Sequence, residues 1–417
     1  MSHSREIPLL TIRGFSHFIS LSSRRLVSVS LCLALLVIMS VVLLNCGEQE
    51  EKAQWSGPAR IAVVVPGGGP LQEEGEMLRL GTLMAIEEAG GLVADHRIEM
   101  IVYESPCNTG SATAVAERIA ANGSTIAVIG YLCPETIRAV LPIYRKVHLA
   151  LINPTVSADF IRKDDSRHLF PLLYGDGEQG AFLAAYAKKG LGLTRVAILS
   201  DGSSFGNLLS TFFLEEANRL GLELVENILT NPKAEKAARA VEFLKSARPD
   251  VTFVAASPRA ASLFLVEHRR QKVGGLVLGP DQLADLDFYE MAGQAAEGLL
   301  VCQPSMLDSE DPEKSKFVKS FEQFSKRRPD WIAVAGYDSM QLALEVLSRS
   351  GPNRDDFLRA IRRISAPSKS FRGIGGPVFF KQDGTSQRPF FVAEIHNGRL
   401  RPAKPPTIEF PVLADDK

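Results

Sequence analysis

Gly202-Ser203-Ser204-Phe205-Gly206 matches the G-x-S-x-G pattern of a hydrolase nucleophile and lies between a β-rich run at 196–199 and a helical pattern at 208–220. That context puts Ser204 on a strand-to-helix turn, where its hydroxyl could attack an acyl carbon once a base takes the proton. A later acid and His268 or His396 would complete a triad in the right chain order. Neither histidine is placed as a base. His268 falls inside Val266-Glu267-His268-Arg269-Arg270, which reads as an exposed charged helix face, and His396 precedes the turn Asn397-Gly398. A serine hydrolase using Ser204 is therefore the remote alternative.

Other chemistry fares worse. The 5 cysteines include no CxxC pair, and the 7 histidines are scattered, so a metal site is not expected. Gly67-Gly68-Gly69 lacks a following Gly-Lys-Ser/Thr and does not spell G-x-G-x-x-G, so it reads as a tight turn and not a phosphate cradle. A net charge of -1 gives no electrostatic reason to expect nucleic acid. No cofactor is implied.

At 417 residues the chain exceeds what one hydrophobic core usually holds, so two domains are expected. Its beginning differs from the rest. Arg24 and Arg25 precede an almost uncharged run at 26–44, and the acidic stretch 47–52 follows. This is an export signal. Leu43-Leu44-Asn45-Cys46 resembles the bacterial lipobox, which makes 1–45 the signal peptide, Cys46 the lipidated residue that ties the body to a membrane, and 46–58 a linker. Two alternatives stay open: an uncleaved spanning helix, for which the run is long enough, and a plain cleaved signal. All three place the body outside the cytoplasm, where thiols tend to pair. Cys107, Cys133 and Cys302 are the cysteines of that body.

The elements that must position any site alternate strand and helix. Strands are expected at 61–65, 98–103, 126–131 and 150–152, with helices at 77–88, 111–121 and 135–146 between them. Alternation of this kind makes a parallel sheet covered on both faces. After Gly175 it restarts, with helices at 179–189, 208–220, 233–246 and 260–271 and strands at 196–199, 223–228, 251–254 and 276–278. Helices at 316–324, 333–348 and 354–363 and β-like stretches at 377–380 and 389–394 close the chain. In such sheets ligands bind beyond the carboxyl ends of the strands.

Several of those loops, in order, resemble the leucine/isoleucine/valine-binding branch of the periplasmic solute-binding proteins. The segments that carry the resemblance include Val63-Val64-Val65-Pro66 with Gly69-Pro70, Tyr103-Glu104-Ser105-Pro106-Cys107, Gly130-Tyr131-Leu132-Cys133, Ile152-Asn153-Pro154-Thr155, Gly175-Asp176-Gly177-Glu178-Gln179-Gly180, Leu278-Gly279-Pro280-Asp281 and Gly336-Tyr337-Asp338. The resemblance covers about 59–399. It implies an α/β fold of two doubly wound parallel-sheet lobes joined by a three-segment hinge, the type I periplasmic binding protein fold. Lobe 1 would be 59–175 and 304–372, and lobe 2 would be 176–303 and 373–410. It also implies a protein that catalyses nothing, encloses a small amino-acid-like ligand and delivers it to the permease of an ABC transporter. A ligand sensor that presents its closed form to a membrane receptor is the alternative. The five residues around Ser204 become a loop at the cleft.

Cys107 and Cys133 each follow a strand, and those strands are separated by one helical crossover and could be adjacent in the sheet, so a disulfide is reasonable. It would stabilise by about 3.5 kcal/mol. Two buried free thiols are the alternative, and Cys302 reads as an inert core thiol. Asp281 matches the family acid that receives the ligand ammonium, or else caps a helix at 283–292. Ser157 matches a family hydroxyl that serves the ligand carboxylate, with Thr155 beside it. Pro134, directly after Cys133, stands where the family has a serine, which removes a hydroxyl and a backbone N–H together. Phe205 stands for the usual Tyr, and Ser257 and Glu74 occupy places that are commonly aromatic. Glu74 would recognise a cationic or hydroxylated group, or is a solvated carboxylate. The changes point to a ligand more polar than leucine or differently shaped.

Overall fold

Ala59–Val65 (β1) reads Ala-Arg-Ile-Ala-Val-Val-Val and is buried everywhere but Arg60. An apolar run without alternation needs a partner on each edge and cover on each face. The computed structural model, which describes residues 57–410 apart from 158, 160–166, 232 and 309, supplies both. The expected signal peptide at 1–45, Cys46 and the expected linker up to residue 56 lie outside the described residues.

β1 pairs in parallel with His96–Glu104 (β3) on one side and Thr125–Gly130 (β4) on the other. Leu92–Val93 (β2), Ala150–Asn153 (β5) and Leu169–Pro171 (β6) complete a six-stranded sheet in the order β2-β3-β1-β4-β5-β6. Gln72–Glu88 (α1), Thr109–Ala121 (α2) and Pro134–Lys146 (α3) are its crossovers. β6 has only three residues, Leu-Phe-Pro, too short to carry a periodic signal, and was not expected.

The second sheet has seven strands. Arg195–Ser200 (β7), Glu223–Leu229 (β8), Val251–Ala255 (β9), Leu276–Gly279 (β10) and Leu300–Gln303 (β11) run parallel, while Phe391–His396 (β15) and Arg399–Pro402 (β16) add antiparallel edges. Their order is β16-β15-β11-β10-β9-β7-β8. Around it pack Asp176–Ala185 (α4), Ser204–Arg219 (α5), Ala234–Ala247 (α6), Pro258–Arg270 (α7) and Leu286–Ala292 (α8).

Pro312–Ser325 (α9), Trp331–Ser350 (α10) and Arg354–Ile361 (α11) return to the first sheet, where Phe317, Phe321, Leu342, Leu347 and Phe357 join its core. Phe371–Gly373 (β12), Gly376–Phe380 (β13) and Ser386–Gln387 (β14) form a small sheet. Val378, Phe379 and Phe380 also belong to the first core, beyond residue 372 where that lobe's last segment was expected to end. The chain thus crosses between the sheets three times, after β6, after β11 and after β14. The first and third crossings are tied together, because Ser386 Oγ donates to the Leu173 carbonyl at 2.6 Å and Arg388 Nη1 to that of Leu172 at 3.0 Å.

His268 corrects the expectation of an exposed helix face. It is 0% exposed, packed on Phe264 with ring centroids 5.4 Å apart, and neither ring nitrogen has a hydrogen-bond partner. The charged neighbours Glu267 and Arg270 pair with each other on the outer face, and the intervening histidine falls on the inner one.

Candidate functional site

The loops beyond β1, β3, β4 and β5 form one wall. Gly130 ends β4 at φ +135°, and a Cβ there would meet the Val64 carbonyl oxygen at 2.2 Å, so only glycine lets these strands close up. Asn153 at the end of β5 then ties the neighbouring loops. Its Nδ2 donates to the carbonyls of Gly130 (2.7 Å) and Tyr131 (2.8 Å), and its Oδ1 accepts from the backbone of Val156 at 2.7 Å. Cys107 and Cys133 are disulfide-bonded with Cα atoms 5.7 Å apart. Their strands are not neighbours, because β1 lies between β3 and β4. The central strand ends at Val65, and the two loops meet past its end. Pro134 sits in the first turn of α3, where a missing N–H leaves no bond unmade.

Two polar atoms on this wall are enclosed and lack a protein partner, Thr155 Oγ1 and Glu74 Oε2. Glu74 stands in the first turn of α1 beside Glu73, whose carboxylate pairs with Arg327.

The opposite wall comes from β7, β9 and β10, which are adjacent and so bring their loops together. Asp201 organises the first loop. Its Oδ1 accepts from Ser203 Oγ (2.6 Å) and its Oδ2 from the Ser257 backbone N–H (2.8 Å), and these bonds hold its carboxyl below the usual range against burial, which acts oppositely. Ser203 caps α5, accepting from the Gly206 N–H at 3.0 Å, while Ser204 is exposed in the first turn of that helix. Among the described residues no hydrogen bond links Ser204 to a histidine, and the buried His268 has none. Phe205 packs partly into the second core.

Asp281 follows β10. The helix it was expected to cap begins later, with Asp285 at its N-cap, and the Asp281 carboxylate turns elsewhere. Its Oδ2 accepts from Gln179 Nε2 at 3.0 Å and from Tyr174 Oη at 3.4 Å, and its backbone N–H donates to Gln179 Oε1 at 3.0 Å. Tyr174 is itself locked by stacking on Phe390 at 4.1 Å. Burial pushes Asp281 up to about 6. Ser157 joins the first wall to the crossing segment, accepting from the Asp176 N–H at 2.9 Å. Asp176 is pushed up to about 7 by burial, then by the charges of Asp281 and Asp159. Asp285 is raised to about 6 by burial, then by the charges of Asp281, Asp287, Glu74 and Asp330.

Asp281 and Ser157 thus gather around the hinge through Gln179, Tyr174 and Asp176, while no hydrogen bond or ion pair among the described residues ties Glu74 to them. Phe205 and Ser257 are tied to each other's loops through Asp201, with no hydrogen bond to Asp281. Tyr174, Asp176, Gln179, Asp201 and Asp285 were not singled out from sequence. Asp176 and Gln179 lie in the quoted Gly175–Gly180 segment, but with β6 unseen nothing marked that segment as following a strand.

A model of the periplasmic binding protein family matches residues 58–399. The chain belongs to that family. Members of this periplasmic binding protein family are non-catalytic substrate-binding proteins, and the family is an extracytoplasmic one. The chain is 22% identical over 347 residues to the leucine-, isoleucine-, valine-, threonine- and alanine-binding protein of Pseudomonas aeruginosa, covering 82% of this chain and 91% of that one. Its fold is that of a putative branched-chain amino acid ABC transporter protein from Rhodospirillum rubrum, at a TM-score of 0.71 and 20% identity over 82% of this chain and 99% of the other. A solute-binding protein from Rhodopseudomonas palustris in complex with benzoate is also similar, at a TM-score of 0.62 and 23% identity over 83% and 95% of the two chains. These likenesses carry the two-lobed binding-protein fold.

Proposed function

We propose that this periplasmic binding protein captures a small amino-acid-like solute between its lobes and hands it to the permease of an ABC transporter, while a lipid on Cys46 holds it at the membrane. The observation that carries the reading is Asp281, an acid fixed at the hinge by Gln179 and Tyr174 with no basic partner among the described residues. A carboxylate kept unpaired at such a site recognises an ammonium. Thr155 and Ser157 contribute hydroxyls from the first wall, Phe205 and Ser257 the far side of the cavity, and the disulfide holds the Cys133-Pro134 loop in place. The relatives named for leucine, isoleucine, valine, threonine and alanine, and for branched-chain amino acids, support an amine-bearing ligand. Closure follows because a ligand touching both lobes binds the closed arrangement better and shifts the population toward it.

Native mass spectrometry of the purified full-length protein tests this. One small amine per chain is expected, with a smaller radius of gyration by X-ray scattering when it is bound and loss of both in Asp281→Asn. Absence of any ligand-dependent compaction across the twenty amino acids and their amines would sink the reading.

A further inference from the structure

The later half of β3 is an open edge. β1 covers one side of the strand along its whole length, but on the other side β2 meets only His96 and Arg97. The Ile98 N–H still reaches the Gly91 carbonyl at 2.9 Å, and the Ser105 N–H turns the opposite way, to the Val65 carbonyl at 2.8 Å. Successive residues of a parallel strand bond to opposite sides. The N–H and C=O groups of Met100, Val102 and Glu104 therefore point away from β1, where no strand among the described residues receives them. Edges are ordinarily blunted by lysine, proline or a bulge. Met100-Ile101-Val102-Tyr103-Glu104 has none of these, and Val102 is 37% exposed.

Beside this edge lies a cavity of about 450 Å³, whose walls include Val102, Glu104, Gln72, Glu76 and Arg79. Thr155, Ser157 and Asp281 are not among them, so it is distinct from the cleft. Glu76 is held through both oxygens by Arg79 at 2.7 Å, and Glu73, also in the wall, pairs with Arg327. Glu104 is the carboxylate left over. Among the described residues it has no ion pair, and it leans over Gly67, where any Cβ would strike its carboxylate.

Charge narrows the occupant. The chain's own segment before β1 carries Glu48, Glu50 and Glu51 against Lys52, and the same edge of a second copy brings no cation between Met100 and Glu104. We propose that an extended, cationic segment of a partner protein docks here and lengthens the first sheet by one strand, with a lysine or arginine set against Glu104 and an apolar side chain against Val102. Side chains two positions apart share a strand face, about 6.7 Å from one another, so the basic and apolar residues of the partner must be spaced in that way.

Two fluorescein-labelled heptapeptides test this against the full-length protein by anisotropy: Thr-Val-Thr-Arg-Thr-Val-Thr, and the same sequence with Glu for Arg. The basic peptide is expected to bind about fivefold more tightly, the margin of an exposed attraction over an exposed repulsion. Glu104→Lys is expected to reverse that order. Val102→Pro removes an outward N–H while sparing the bonds to β1, and is expected to weaken both peptides at least about tenfold. Its melting curve checks folding, and Glu104→Lys carries the test if it does not fold. With the basic peptide bound, amide exchange followed by NMR should slow at Met100, Val102 and Glu104 and stay unchanged at Ile101 and Tyr103. No binding of the basic peptide up to about 1 mM, or an order of affinities that Glu104→Lys leaves as it was, overturns the proposal. So does self-association of the parent that Val102→Pro abolishes, which would give the edge to a second copy.

Discussion

Gln179 and Asp281 are joined at both ends of one amide: Gln179 Nε2 donates to the Asp281 carboxylate at 3.0 Å, and Gln179 Oε1 accepts from the Asp281 backbone N–H at 3.0 Å. Gln179 is buried in α4, directly after the first crossing between the lobes, while Asp281 ends a strand of the second sheet. The acid is thereby registered to the hinge.

Replacing Gln179 with Leu keeps the volume and removes both bonds at once. The Asp281 N–H and one carboxylate oxygen are then left without their partner, which is expected to destabilise the protein by about 1–3 kcal/mol. Urea denaturation followed by circular dichroism measures it, and a midpoint equal to the parent's would show that the amide carries no load.

The pH dependence of Asp281 has a definite sign. Its folded carboxyl is raised from 3.8 to about 6, chiefly by burial, so the neutral acid is the form the ligand-free fold favours. Its contribution is complete below pH 3.8 and is lost as pH rises through about 6. Asp281→Asn fixes the neutral form. Thermal melts of the ligand-free proteins are therefore expected to coincide near pH 4 and to separate at pH 8 in favour of the variant, by about 1–2 kcal/mol once solvent screening at this half-buried site is allowed for. The same change removes the charge next to Asp176, so its carboxyl, now raised to about 7, should titrate lower by carbon-13 NMR. Ligand affinity moves the opposite way from stability.

What was legible beforehand follows physical lines. The core of β1 was legible because the unbroken apolar run at 61–65 reads as a buried strand, while Ala59 and Arg60, which extend it, did not stand out. The two-lobed plan followed from a second alternation starting after Gly175. The Cys107–Cys133 pairing was readable, but its path over the end of β1 was not, because strand order is a property of the assembled sheet. Asp281 stood out as an acid after a strand. Tyr174 and Gln179, which position it, sit more than 100 positions earlier, one in a crossing segment and one inside a helix, and no local pattern connects them. His268 was misread because its charged neighbours dominated the pattern, although a helix places adjacent residues about 100° apart.

That buried histidine makes acid a threat to the fold. Burial lowers the His268 imidazole from 6.5 to about 4, with a smaller push from Arg269. The neutral ring is favoured in the folded state, so its contribution is present above pH 6.5 and is lost as pH falls through about 4. His268→Phe, which suits a site already lined by Phe264, is expected to remove roughly 2–3 kcal/mol of the stability change between pH 7 and 4. Guanidinium titrations at the two pH values give the difference directly. A variant that loses as much stability on acidification as the parent would clear His268.

Arg388 and Asp338 pose the final test at the hinge itself. Their side chains are 3% and 2% exposed and 3.6 Å apart, with Asp338 also accepting from the backbone N–H groups of Ile374 (2.7 Å) and Gly375 (2.9 Å). Burial pulls Arg388 down and Asp338 up, each countered by the other's charge. Replacing Arg388 with Met strands a buried carboxylate and removes the bond to the Leu172 carbonyl, so a loss of about 3–5 kcal/mol is expected. Adding Asp338→Asn removes the stranded charge while its carbonyl still accepts from the backbone. The double variant should therefore recover at least about 1 kcal/mol relative to Arg388→Met alone, a non-additivity that a double-mutant cycle reads from denaturation midpoints. Strict additivity would mean that the two charges are not coupled and that Arg388 serves the crossing segment alone.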